Sequence, residues 1–323
     1  MELLKKLTEA VAPSGAEEAV GAVIEEAIRP YVDEVYTDAL GNLIAHKKGT
    51  GKKIMLAAHM DEIGVMATYI DDNGFVRFSP IGWLPPHYAL YKKVYFTNGV
   101  VGVVGYEEKE KDLKDIKNSD LYIDIGVSSK EEAESQIAPG ISGGIERSFS
   151  VCGSRVFSGV MDNRSGCYCL IKTAERYTGD CDVYYVFTVQ EEVGLRGAGA
   201  AAFSIQPDMA LSVDVTDVGD TPNCPHNAVR LGEGPAIKVM DASIITHPIM
   251  RRKLLLAAEG LPYQLEVIQN GGTDAGAMHT SKGGVMTGAV SIPCRYIHSA
   301  AECVDTEDLK HTEELLYRFL MAE

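Results

Sequence analysis

The chain has 323 residues, is 46% hydrophobic and 24% charged, and carries a formal net charge of −16. Such a composition fits a soluble globular protein with one large domain, or one domain carrying a second. The acidic balance repels nucleic-acid phosphates and anionic membranes. No run approaches the ~20 apolar residues of a membrane span, and no leader-like apolar start is visible.

The N-terminus reads as a helix, with Leu3, Leu4, Leu7 and Val11 on one face and Pro13 as its stop. Ser14 and Glu17 have the spacing of a capping box for a second helix, whose buried stripe is Val20, Val23, Ile24, Ala27 and Ile28. Residues 38–42 form a turn between two strands, and residues 54–58 a buried strand that ends at His59. From about Tyr69 the texture changes. Short β-like runs at 75–78, 94–97, 100–104 and 121–125 are separated by Gly, Asn and Pro turns. The charged stretch 107–120 reads as a solvated loop or edge. Residues 67–150 are therefore expected to form an inserted, small β-rich, barrel-like domain.

The α/β rhythm resumes after Asp162. It gives a helix at 166–177, a strand at 183–189, a helix at 197–203 and a strand at 210–215. Further strands are expected at 236–239, 263–268 and 288–292, with a helix at 248–259. A final helix starts near Asp305 and buries Leu309, Thr312, Leu316, Phe319 and Leu320. Residues 1–66 and 151–323 then make one discontinuous, three-layer α/β domain on a mixed sheet. Seven cysteines with no C-x-x-C pair read as reduced thiols of a cytoplasmic protein. Cys167 and Cys169 lie two apart in a helical pattern, so packing explains them better than metal binding.

Chemistry concentrates where apolar strands end, as it does in open α/β sheets. His59 and Asp61 fall on one side of a strand end, so His59 can reach a metal with Asp61 supporting it. Asp162 is either a helix N-cap or a carboxylate bridging two cations. Glu191 and Glu192 follow an apolar strand and are costly there unless compensated. One binding metal and the other moving protons is the economical reading. Asp214 lies inside an apolar run and needs a partner, and His298 follows the strand at 288–292. The histidines at 46, 87, 226, 247, 279 and 311 read as surface or core residues. Two imidazoles with several carboxylates suit Zn²⁺ or Co²⁺ better than Mg²⁺.

The motifs AAHMDEIG (57–64), VMDNRSGC (160–167), TVQEEVGLRGA (188–198), SVDVTDVGDTP (212–222), GGTDAGA (271–277) and IPCRYIHS (292–299) occur in one order along nearly the whole chain. In them the chain resembles the tetrahedral, TET-type metallo-aminopeptidases, a family that includes glutamyl aminopeptidases and endoglucanase-M-like proteins. The resemblance implies two divalent metal ions per subunit, Zn or Co with Mn as an alternative. Asp162 would bridge them, with Glu192 and His298 completing one site and His59 and Asp214 the other. Glu191 would be the general base, Asp61 would support His59, and the Asp162–Asn163 peptide bond would be cis. It also implies peptide substrates trimmed from the N-terminus, and a homo-oligomer, at least a dimer through residues 67–150 and up to a dodecamer. Residues 105–110 lack the Pro-His element expected of the family, which bears on assembly size. A metal-free glycan hydrolase leaves the histidines unexplained. A non-catalytic scaffold of the same fold is expected to have lost a ligand or Glu191, and both are present.

Overall fold

The hydrophobic alternation resolves into three sheets in a computed structural model that describes residues 1–108, 112, 115–224 and 228–323. Helices α1 (Glu2–Glu9) and α2 (Glu18–Ile28) precede strands β1 (Glu34–Thr37), β2 (Leu43–Lys47) and β3 (Lys53–His59). Next come β4 (Gly64–Ile70), β5 (Val76–Ile81), α3 (Pro86–Ala89), β6 (Lys93–Phe96), β7 (Val101–Tyr106), β8 (Leu121–Asp124), α4 (Lys130–Glu134) and β9 (Ser142–Ile145). The chain continues through β10 (Ser150–Cys152), β11 (Arg155–Ser158), α5 (Met161–Arg176), β12 (Asp182–Thr188), α6 (Arg196–Ile205) and β13 (Met209–Asp217). It finishes with β14 (Ala236–Met240), α7 (Pro248–Ala257), β15 (Gln264–Val267), α8 (Ala275–Met278), β16 (Met286–Cys294), β17 (Glu302–Asp305) and α9 (Thr306–Met321).

The largest sheet has eight strands in the order β1-β2-β12-β3-β13-β16-β14-β15. Its centre, β12-β3-β13-β16, is parallel, and β2 and β14 flank it antiparallel. The mixed sheet is buried on both faces. On β3, Ile54, Leu56 and Ala58 join the core under α1, α2, α5 and α9, whereas Met55 and Ala57 face the smaller core under α6 and α8. This period-two division makes three layers. Strands β4-β5-β8-β7-β6-β9 close a barrel with its own core, built on Val65, Val76, Val94, Phe96, Val104 and Ile123. The barrel expected from the short runs is present, between Gly64 and Ile145.

Two local expectations change. The Ser14/Glu17 capping box does not form: α2 has no side-chain cap bond. Ser14 Oγ instead donates to Asp61 Oδ2 at 2.6 Å, and Glu17 Oε1 accepts from the N–H of Gly15 at 2.8 Å and of Gln190 at 3.2 Å. A local motif was outcompeted by buried acceptors and donors around the strand ends. Helix α1 stops at Glu9, so Val11 lies beyond it. Of the charged stretch 107–120, residues 109–111, 113 and 114 lie outside the described residues, as does His226. Among the described residues no helix is long and apolar enough to cross a membrane.

Candidate metal centre

Parallel pairing puts the carboxyl ends of the central strands side by side. Thr188 of β12 registers with His59 of β3, so Glu191 and Glu192 emerge beside His59. Asp214 lies near the end of β13, opposite Ser291 of β16, and His298 follows β16. Asp162 arrives from the start of α5. Asp162 does not cap the helix that follows: Asn163 Oδ1 accepts from Gly166 N–H at 3.0 Å and Asn163 Nδ2 donates to Val213 O at 2.8 Å. Asn163 therefore serves the helix start, and the Asp162 carboxylate turns into the cleft. The Asp162–Asn163 bond is cis, as the resemblance implies.

The structure brings all seven sequence-selected residues together. His59, Asp162 and Asp214 form one group able to hold a metal ion, and Asp162, Glu192 and His298 form another, with the ligand atoms of each within 4.8 Å of one another. The two oxygens of Asp162 divide between them. Oδ1 is 3.0 Å from His59 Nε2, and Oδ2 is 3.4 Å from His298 Nε2. His59 Nε2 is 3.5 Å from Asp214 Oδ1 and 3.9 Å from Glu191 Oε2, and His298 Nε2 is 3.3 Å from Glu192 Oε2.

Two buried carboxylates hold the backbone behind these side chains. Asp61 accepts from the N–H of Glu191 at 3.0 Å and of Glu192 at 3.2 Å, and its Oδ1 lies 3.5 Å from His59 Nδ1. Glu302 does the same for the other half, accepting from Asp162 N–H at 2.8 Å and His298 N–H at 2.7 Å. His298 Nδ1 is 3.0 Å from the Trp83 carbonyl, and that bond leaves Nε2 to face Asp162 and Glu192. Sequence reasoning assigned no role in the cleft to Ser14, read as a helix cap, to Trp83, to Glu302 or to the buried Asp274, whose carboxylate accepts from Thr188 Oγ1. Glu302 had one signal, a carboxylate opening a short apolar run. Asp274 lies in a quoted motif but had no assigned role.

Charge in the cleft is unbalanced. Asp61, Asp162, Glu191, Glu192, Asp214, Asp274 and Glu302 face two imidazoles. Burial pushes Glu191 well above the usual carboxylate range, with Asp214 and Glu192 adding to the rise. Burial likewise raises Glu192, Asp214 and Glu302, and moves Asp274 up to about 7. Burial would raise Asp61 and Asp162 too, but hydrogen bonds and charge from the imidazoles hold both below the usual range. Burial opposes charge on His298, yet Asp162 and Glu192 hold its proton up to about 12, and His59 is raised by Glu191 and Asp214 in the same way. The field that retains those protons is one that divalent cations would occupy in their place. Glu192 Oε1 fits this: it is buried with no hydrogen-bond partner.

A three-layer α/β sheet carrying such a cleft, with a closed barrel beside it, is the frame of a metal-dependent hydrolase. The chain belongs to the M42 glutamyl aminopeptidase family, whose model matches residues 41–315. A protein of Acetivibrio thermocellus is 50% identical over 98% of this chain and 96% of its own. The aminopeptidase APDkam598 of the archaeon Desulfurococcus kamchatkensis superposes with a TM-score of 0.95 at 40% identity, covering 100% of this chain and 94% of its own. The TET1 peptidase of Pyrococcus horikoshii, reported to assemble into a tetrahedron or a large octahedral shell, matches with a TM-score of 0.88 at 34% identity, covering 98% of each chain. This protein is a peptide-hydrolysing enzyme, an aminopeptidase of the TET type.

Proposed function

We propose that this aminopeptidase works with two divalent cations, one held by His59, Asp162 and Asp214 and the other by Asp162, Glu192 and His298. Two histidines among carboxylates favour Zn²⁺ or Co²⁺, with Mn²⁺ as an alternative. When bound, such ions polarise the scissile carbonyl and make water a nucleophile at neutral pH. The chain's own residues do the remaining work. Glu191, raised by burial and within reach of His59, accepts the proton of the attacking water and returns it to the leaving amine. Asp61 fixes Glu191 and Glu192 through their N–H groups and supports His59. The observation that carries this reading is the division of the Asp162 oxygens between two ligand groups. A metal-free glycosidase leaves both imidazoles without a role. Chelation should abolish release of p-nitroaniline from aminoacyl-p-nitroanilides, and metal add-back should restore it. Full turnover after complete chelation would sink the metal assignment.

We also propose that residues 67–150 act as a dimerisation unit. Tyr69, Tyr91, Val101 and Val103 are exposed on or beside the barrel strands, and two-fold pairing buries such patches most simply. The relatives' shells make a dodecamer the natural larger form. Light scattering is expected to give at least twice the chain mass of 34.9 kDa, and a monomer at micromolar concentration would overturn the pairing. The seven unpaired cysteines fit a cytoplasmic setting.

A further inference from the structure

A second cavity of about 770 Å³ opens beside the metal cleft and shares Trp83, Thr216, Asp217, Ile268, Gly271 and Ile297 with it. We infer that this cavity receives the N-terminal side chain of the substrate and selects large uncharged residues. The inference rests on the aminopeptidase reading of the cleft and adds the substrate class.

The argument is an account of charge. Among the described residues, the lysines and arginines lining the two cavities are Arg295 and Lys238. An acidic side chain would need one of them. Arg295 is already held by Asp220 through two bonds of 2.8 Å, from Nε and from a terminal nitrogen. Lys238 is buried with its Nζ 3.1 Å from Asp241 and 3.2 Å from Glu266. Each cation is thus neutralised before a substrate arrives, and a carboxylate entering here loses water without gaining a partner. A basic side chain fares little better. Among the described residues lining this cavity the one carboxylate is Asp217, which already takes part in an interaction of its own.

The walls suit the opposite chemistry. Trp83, Tyr296 and Val267 are 65%, 51% and 61% exposed and line the cavity with Tyr88. Apolar surface left open next to a reaction centre favours an apolar side chain, at about 25 cal/mol per Å² covered. Trp83 is also tied to the centre itself: its ring lies 5.7 Å from that of His298. A side chain packed on the indole is therefore held close to the ligand set.

The test uses metal-loaded enzyme and the p-nitroanilides of Leu, Phe, Lys and Glu. The Leu or Phe substrate is expected to exceed Lys by about 10-fold and Glu by about 100-fold in kcat/KM, in line with the cost of an unpaired buried charge. Asp220→Asn releases the Arg295 guanidinium while keeping an acceptor for Leu231 N–H, and Val267→Lys adds a cation at the exposed rim without touching the core. Either should raise the Glu-to-Leu ratio about 10-fold or more. A preference for Lys or Glu in the unmodified enzyme overturns the inference, and so does an unchanged ratio in both folded variants. Turnover that survives chelation would instead overturn the metal reading while leaving the side-chain preference measurable. No turnover of any of the four would overturn both.

Discussion

Two buried polar clusters border the same cleft and are built on opposite principles. Lys238, Asp241 and Glu266 form the first. The ammonium lies between two carboxylates, Ser291 Oγ donates to Glu266 at 2.6 Å, and the N–H groups of Ser243 and Ile244 reach Asp241 at 2.7 and 2.9 Å. Burial opposes charge on Lys238, but Glu266 and Asp241 hold its proton above the usual range. In the second cluster seven carboxylates share two imidazoles, and Glu192 Oε1 faces no donor. The first cluster carries its own cation, although Asp241 Oδ2 meets Lys238 as an ion pair at 3.1 Å and has no hydrogen bond. The second is electrostatically unfinished, and that difference separates a structural ion network from a site that expects cations.

The comparison can be broken from either side. The largest effect is expected at Glu191. Glu191→Gln should keep metal binding and the melting temperature but lose about 10²–10⁴-fold in kcat, measured with metal content checked in parallel. Turnover near that of the unmodified enzyme would remove Glu191 from its role. Next comes the finished cluster. Lys238→Met leaves Glu266 and Asp241 buried without their cation, and should cost about 3–5 kcal/mol of stability in denaturant titrations. The loss should be the same with and without chelator. A loss that vanished on chelation would show that Lys238 belongs to the metal cluster instead. The smallest effect is expected at Glu302. Glu302→Gln keeps its size but can accept only one of the two N–H groups now bound, so metal affinity should fall about 10–100-fold. Isothermal titration with Zn²⁺ on folded protein checks this, and unchanged affinity would reduce Glu302 to packing.

Much of the site was legible because polar residues ending apolar strands leave a sharp trace. His59, Glu191, Glu192 and Asp214 each interrupt a run whose burial the alternation already demanded. Asp162 was ambiguous from the chain alone, since an aspartate before a helix also reads as a cap. Only the fold shows Asn163 in that role. Ser14 and Glu17 misled for the reverse reason. Their spacing fits a helix start, but Asp61 and Gln190, far away in sequence, bind them instead. Glu302 left only a weak trace, a carboxylate opening a short apolar run, because its partners are backbone N–H groups, which leave no mark in a sequence. Trp83 meets His298 through its carbonyl, a contact that exists only once the barrel is folded against the cleft.

The joints of the barrel carry a consequence for anyone who would rebuild this enzyme. Only residues 60–63 separate His59 from the first barrel strand, and the returning chain passes Arg147 and then β10 and β11 before it reaches Asp162. Within those joints Glu62 accepts from Ala12 N–H at 2.6 Å and from Arg147 at 3.0 Å, so outgoing and returning segments are latched to each other and to the N-terminal arm. The barrel is therefore a poor unit for grafting. A replacement cut at its visible ends would shift the backbone that presents both histidine-bearing halves of the cleft, and a workable chimera would have to carry over the 60–63 segment together with Arg147.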